Sequence, residues 1–430
     1  MNKYNIAVIG AGPAGYNCAI NFAKQGKSVV IVEKDNLGGT CLNNGCIPTK
    51  FLWQAAKTKQ KISKSSEYGI KASIESVNFA NIIAKKNRLV ENLSKGVARL
   101  LTANKVDIVK GIASFNTKNE LNVKMENEEI KIFADKIIVA TGSDCKSIPN
   151  IEFDHKKYIS STDALNLMEI PKNMLVIGGG AIGIELSSIF SSFGTNITLR
   201  EICPQLLPNE DSELAGELAK VLARQGIKVE IGCNDTLKDV DNFEKVLIVA
   251  GRKSTVESLN AQNINLNLDK RNFIQTDNYS TNIDNIYAIG DITGKGSLAY
   301  TAEQDAINVV ENLKSNNPIP KVVFSFPPVA SVKDINFENY KNIVYGKAMY
   351  STNARAQIEG ERTGWIKIAI DNDSQKILGV WILGSTADEM INIASVMIKA
   401  NMKVNDLSRE MFFHPGLCEI LFNAIENIKC

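Results

Sequence analysis

The sequence predicts an α/β chain with two doubly wound dinucleotide-binding units followed by a separate C-terminal α+β unit. Three observations carry this reading. A G-x-G-x-x-G turn sits between a strand-like run and a helix-like run, the same pattern returns further along, and from about Pro318 strand-like runs alternate with one helical segment. At 430 residues the chain is too long for one core, and two to four domains are expected.

The first unit opens with a strand over residues 4–9 that runs into Gly10, Gly12 and Gly15. A helix follows, then a strand over 28–33 that ends in Glu33. The glycines allow a tight turn and close approach of backbone to a pyrophosphate on the helix N-terminus, and Glu33 can accept from ribose hydroxyls. In the second unit a strand over 174–177 leads into Gly178, Gly180 and Gly183, and a strand over 196–201 ends in Glu201. Each of these four residues lies 168 positions after its counterpart, a coincidence that points to two nucleotide sites. Each unit has a later strand ending in a glycine turn, at 137–142 and 246–251, where a doubly wound sheet places its ligand. A run over 285–290 ends in Asp291, which locally reads equally well as a helix N-cap. The last unit reads as strands over 364–370 and 377–383 and a helix over 387–400.

Between the first glycine turn and its closing strand lies Gly38-Gly-Thr-Cys41-Leu-Asn-Asn-Gly-Cys46-Ile-Pro-Thr-Lys50. Five residues of regular helix rise ~7.5 Å, too far for a disulfide. Bonding Cys41 to Cys46 therefore needs a kink, for which Gly45 and Pro48 are the candidates. A close cysteine pair beside a dinucleotide fold suits electron transfer; the alternative is two unpaired buried thiols. With two histidines in the chain, no metal site is expected. Near the C-terminus, His414 and Glu419 flank Pro415, and a histidine oriented by a carboxylate can carry a thiol proton near neutral pH. His155 lies in a polar stretch without such a setting.

Composition narrows the classes. Hydrophobic residues at 44% and charged residues at 22% are those of an ordinary globular protein. A net charge of +2 makes no case for nucleic acid, and the lysine-rich stretch 57–64 reads as a solvated helix face. No apolar run reaches bilayer length and no signal peptide is evident, so no membrane partner and a cytoplasmic location are expected. Eight cysteines are too sparse for a disulfide framework, which makes any disulfide here catalytic rather than structural.

With these residues assembled, the chain resembles the class I pyridine nucleotide–disulfide oxidoreductases over nearly its whole length. The motif from 38 to 50, the turn Ala140-Thr141-Gly142, the segment Ile286-Tyr-Ala-Ile-Gly-Asp291 and the His414–Glu419 dyad carry the likeness. The resemblance implies two Rossmann-like domains, FAD-binding over 1–145 and NAD-binding over 146–268. A return segment over 269–316 and a C-terminal interface (dimerisation) domain over 317–430 complete a homodimer. It implies FAD against Gly10, Gly12, Gly15, Glu33, Lys34, Gly39, Thr40, Lys50, Ala113, Thr141, Gly142, Asp291 and Ala299, and NAD against Gly178, Gly180, Gly183, Glu201 and Gly251. Cys46 becomes the flavin-facing thiolate, Cys41 the interchange thiol, and Glu185 the partner of Lys50. His414, oriented by Glu419, becomes the acid/base contributed by the partner subunit. The substrate class implied is a small or protein-bound dithiol or disulfide, with a 2-oxo acid dehydrogenase complex as an allowed partner. Dihydrolipoamide oxidation fits best. Ile20 and Asn21 stand where glutathione reductases carry arginines, and a single Cys430 ends the chain where mercuric reductases have a vicinal pair. A flavin-binding protein without catalysis is the alternative of another class, and the intact Cys41, Cys46 and His414 speak against it. No Arg or Lys from 202 to 208 follows Glu201, so NAD is expected over NADP. The thirteen residues 233–245 leave no room for the family's β-meander, and Gly251-Arg-Lys-Ser lacks its usual proline.

Overall fold

The computed structural model describes residues 2–314, 317–407 and 410–428; Cys430 lies outside them. The strand Asn2–Ile9 pairs in parallel with Val29–Glu33 on one side and Glu129–Val139 on the other. The sheet extends outward to Asp107–Lys110 at one edge and, through the antiparallel strands Glu120–Lys124 and Ile112–Thr117, to the other. Ile286–Ala288 returns from far along the chain to lie parallel to Glu129–Val139, which brings Asp291 to the same sheet end as the first glycine turn. Val29–Glu33 is buried at all five positions, its four apolar residues as expected of a parallel strand covered on both faces and Glu33 at its end.

The second sheet is parallel throughout, in the order Lys228–Ile231, Asn196–Glu201, Asn173–Ile177, Lys245–Ile248, Tyr158–Ile159. Between the strands Lys228–Ile231 and Lys245–Ile248, residues 233–244 hold a short 3-10 turn, Val240–Asn242, and no strand. Arg200 points away from the glycine-turn side and closes this edge: Nε donates to Glu230 at 2.6 Å and Nη1 to the Thr236 and Lys238 carbonyls. A buried arginine, bonded through Nε and Nη1, ties this edge strand to the loop beyond it.

The C-terminal sheet is antiparallel, in the order Lys321–Val323, Val329–Lys333, Ile377–Leu383, Trp365–Asp371, Ile343–Met349. One face packs on the helix Ala387–Lys399 through Met390, Ile391 and Ala394. The other, through Trp365, Trp381 and Leu383, joins the core of the second glycine unit. Lys367, nearly buried, reaches across to Asp211 and Glu213 at 2.7 and 2.9 Å. Among the described residues no helix is long and apolar enough to cross a membrane.

Candidate active site

The two glycine turns are built alike. Gly10 and Gly178 both adopt positive φ (98° and 118°), and a Cβ on Gly15 or Gly183 would meet the carbonyl of Gly10 or Gly178 at 1.8 or 2.0 Å. Only glycine lets each helix start so close to its own turn. Each helix, Pro13–Lys24 and Ala181–Phe193, begins at a glycine N-cap with no side-chain cap, leaving N–H groups to an anion. Glu33 accepts from the backbone N–H of Ala11 at 2.6 Å and Asp35 at 2.8 Å; Glu201 accepts from Gly179 and Cys203 at the same distances. Backbone N–H groups thus fix the orientation of both acids.

Around the first turn the remaining predicted residues gather. A Cβ on Gly39 would meet Gly12 Cα at 2.6 Å, so the cysteine segment lies backbone to backbone on the glycine turn. The Thr141 hydroxyl is buried with no partner among the described residues, and Gly142 beyond it has open space and φ 74°. An orphaned donor beside a bare helix N-terminus fits a pyrophosphate-bearing group such as FAD. Asp291 sits in the 3-10 turn Gly290–Thr293, not at a helix N-cap, and accepts from Ser143 Oγ at 2.5 Å. Ala299 starts the helix Ala299–Glu311, again uncapped by a side chain. Ala113 is buried two residues after Gly111, whose N–H donates to the Glu33 carbonyl. Lys34 is exposed and pairs with Asp35 at 3.9 Å, and Thr40 is exposed on the cysteine helix. At the second turn, Gly180 and Gly251 have open space where a Cβ would lie.

The cysteines lie on either side of a break. Helix Gly39–Asn44 ends at Gly45 (φ −146°, ψ −108°), and helix Cys46–Ser63 restarts there. Gly45 alone makes the kink; Pro48, expected to share it, is inside the first turn of the second helix, where its missing N–H costs nothing. Cys41 and Cys46 stand as free thiols hydrogen-bonded to one another, the dithiol form of the pair. That bond and the Lys50 charge hold the Cys46 thiol down at about 7, while the same bond and burial push Cys41 far above the usual thiol range. The pair is asymmetric: its surroundings favour ionisation of Cys46 and retention of the proton on Cys41. Lys50 meets both Glu185 carboxylate oxygens at 3.0 Å and lies 4.4 Å above the Phe324 ring. Glu185 also accepts from the Phe324 N–H at 3.1 Å, and Trp53 stacks on Phe326 at 5.4 Å, pinning the cysteine helix to the C-terminal unit.

His414 is in a separate place. Its Nδ1 meets Glu419 Oε1 at 2.9 Å, and the other oxygen accepts from Gly416 N–H, so the carboxylate fixes ring and turn together. The imidazole is 73% exposed, beside Met411 and Phe413, which are 99% and 76% exposed. Its described contacts do not include Cys41.

Several features differ from expectation or escaped it. Ile20 is buried in the core of the first unit, so it does not line the approach to Cys41; Tyr16, one turn earlier, is the aromatic charge-coupled to that thiol. Glu303 couples to both Cys41 and Tyr16, and Tyr300, its phenol raised to about 12 by burial and by Cys46, sits by the other thiol. Arg252 donates to Ser143 Oγ and lies 3.7 Å from Asp291; the Gly251-Arg signal was visible but its partners were not. His155 does have a carboxylate, Asp163 at 3.0 Å. Residues 57–64 are not wholly solvated, since Lys59 donates to the Ser192 carbonyl and Lys57 covers Trp53.

The pattern of the pyridine nucleotide-disulphide oxidoreductases matches residues 4–306, and that of their dimerisation domain matches 319–425. The chain belongs to this family. As a pyridine nucleotide-disulphide oxidoreductase it is a flavoprotein that uses FAD and NAD(H). It is 33% identical to the mitochondrial dihydrolipoyl dehydrogenase of Pisum sativum over 98% of this chain and 91% of that one. To the dihydrolipoyl dehydrogenase of Geobacillus stearothermophilus it is 34% identical, over 97% and 95%. It is also 33% identical to the leghemoglobin reductase of Vigna unguiculata, over 98% and 87%. Among solved structures it is similar to the HOCl-induced flavoprotein disulfide reductase RclA of Escherichia coli in its Cu(II) complex, with TM-score 0.89 and 28% identity over the whole of both chains.

Proposed function

We propose that this oxidoreductase is a dihydrolipoamide dehydrogenase, oxidising an apolar dithiol with NAD⁺ as a homodimer. The observation that carries the reading is the setting of Cys41: a phenol, Tyr16, and an exposed carboxyl, Glu303, with no basic residue between Pro13 and Ala23. A carboxylate there repels the anionic ends of a tripeptide disulfide and leaves an uncharged dithiol as the tolerated guest. Likeness to dihydrolipoyl dehydrogenases along nearly the whole chain supports it.

The chain's residues then divide the work. One thiolate of the substrate attacks the Cys41 sulfur of the Cys41–Cys46 disulfide, and Cys46 leaves as a thiolate. The second substrate thiolate attacks the sulfur joined to Cys41, closing the product disulfide and releasing Cys41, which takes up a proton. His414 from the partner subunit, held by Glu419, accepts the substrate's thiol protons in turn. Lys50, fixed by Glu185, keeps Cys46 ionised. Bound FAD supplies the two-electron relay between this thiolate and NAD⁺. Glu33, Thr141 and Asp291 would hold the flavin, and Gly180 and Glu201 the nicotinamide nucleotide.

Wild-type protein assayed with dihydrolipoamide and NAD⁺, and with oxidised glutathione and NADH or NADPH, tests this. We expect brisk dithiol oxidation. Vigorous glutathione turnover with negligible dihydrolipoamide activity would overturn the substrate assignment and leave the family intact.

A further inference from the structure

We propose that Cys203 and Cys233 form a second, regulatory dithiol whose oxidation weakens NAD⁺ binding. Neighbouring parallel strands, Asn196–Glu201 and Lys228–Ile231, end beside each other, and each cysteine lies two residues past its strand. Backbone bonds tie the two ends together beyond the strands: Gly232 N–H donates to the Cys203 carbonyl at 2.9 Å, and Cys233 N–H to the Glu201 carbonyl at 3.0 Å. Strands lie about 4.8 Å apart, within the Cα separation of about 4.4–6.8 Å that a disulfide spans. Both thiols are free and partly exposed, unlike the fully buried Cys18.

What makes the pair consequential is Glu201. Cys203 N–H donates to Glu201 Oε1 at 2.8 Å, and its thiol bonds the same carboxylate. Among the described residues Cys233 donates only to the Asp235 carbonyl at 3.2 Å, leaving it the freer nucleophile. A low-molecular-weight disulfide, the reactant class this family handles, is the oxidant. The Cys233 thiolate attacks one of its sulfurs, forming a mixed disulfide and expelling one thiolate. Cys203, losing its proton to Glu201, then attacks the Cys233 sulfur and expels the second. The net change is protein dithiol plus small disulfide giving protein disulfide plus two small thiols. Linkage removes the S–H donor from Glu201 and draws Cys203 toward the neighbouring strand, so the carboxylate that should receive the ribose loses its set position.

This rests on Glu201 marking the ribose end of the NAD site, and the experiment separates the two. Wild-type, Cys203→Ser and Cys233→Ser holoenzymes are each treated with oxidised glutathione, mapped by peptide mass spectrometry, and titrated with NAD⁺ by calorimetry before and after dithiothreitol. We expect a Cys203–Cys233 peptide in wild type, NAD⁺ affinity lower by about fivefold or more, and recovery on reduction. Neither serine variant should respond. Unlinked cysteines after treatment, or full linkage with unchanged affinity, overturns the switch. Undiminished NAD⁺ binding by Glu201→Ala, with the link still forming in wild type, instead removes the site assignment on which it stands.

Discussion

The two glycine units present the same local device with different surroundings. Down to the hydrogen bond they agree: Glu33 and Glu201 each clamp two backbone N–H groups at 2.6 and 2.8 Å, and both helices begin at an uncapped glycine. They part immediately beyond the acid. After Glu33 the chain enters the broken cysteine helix, and a distant strand returns to deliver Asp291. After Glu201 it turns through an ordinary loop into the helix Ser212–Arg224, with Arg200 sealing the edge. The glycine turn and its acid are therefore repeated, while the broken helix with Cys41 and Cys46 follows the first acid.

The strongest way to break that contrast is to remove a thiol. Cys46→Ser should lower disulfide turnover by more than about a thousandfold and abolish the long-wavelength band that a thiolate gives beside oxidised flavin. Cys41→Ser should lose turnover to a similar extent yet keep the band; the reverse phenotypes, read from spectra and steady-state rates, would show the roles inverted. Next in size is His414→Gln. Dihydrolipoamide oxidation should fall by about 10²–10⁴-fold, whereas NADH-driven reduction of a flavin-accessible dye stays close to wild type. Equal loss in both assays would mean that His414 supports the fold and carries no proton.

Paired changes to the acids probe the repeat itself. Glu201→Ala should raise the KM for NAD⁺ by about tenfold with little change in dye-linked kcat, and wild type should favour NADH over NADPH in kcat/KM. Glu33→Ala should leave the KM for NAD⁺ alone and release flavin on dilution. Interchange of these effects would assign the cofactors to the opposite units.

The smallest effect concerns ionisation. With the Cys46 thiol held at about 7, its thiolate, and the band it gives beside the flavin, should appear as pH rises through that value and fade as pH falls below it. Lys50→Met removes the cation that favours the thiolate, so the midpoint should move upward by about one pH unit. A midpoint that stays put in a spectroscopic titration would leave the Cys41 bond as the sole cause.

Sequence alone showed what the backbone imposes locally. Glycine at 10, 15, 178 and 183 is forced by positive φ or by a carbonyl where a Cβ would stand, and such constraints leave a spacing that can be read. The acids at strand ends, the glycine that breaks the cysteine helix and the apolar runs of buried parallel strands are legible for the same reason. The pairing of Lys50 with Glu185, 135 positions apart, was reachable only through resemblance, since no local pattern links them.

Tertiary packing decided the rest. Tyr16, Tyr300 and Glu303 come to the thiols, and Ser143 and Arg252 to Asp291, because separate helices and strands converge on one sheet end. Ile20 is buried in the core of the first unit, while Tyr16, four residues earlier on the same helix face and only partly buried against that core, is the residue that couples to the Cys41 thiol. Local sequence encodes backbone geometry through sterics, whereas the company a side chain keeps depends on burying apolar surface across the whole chain, and only the folded structure sums that.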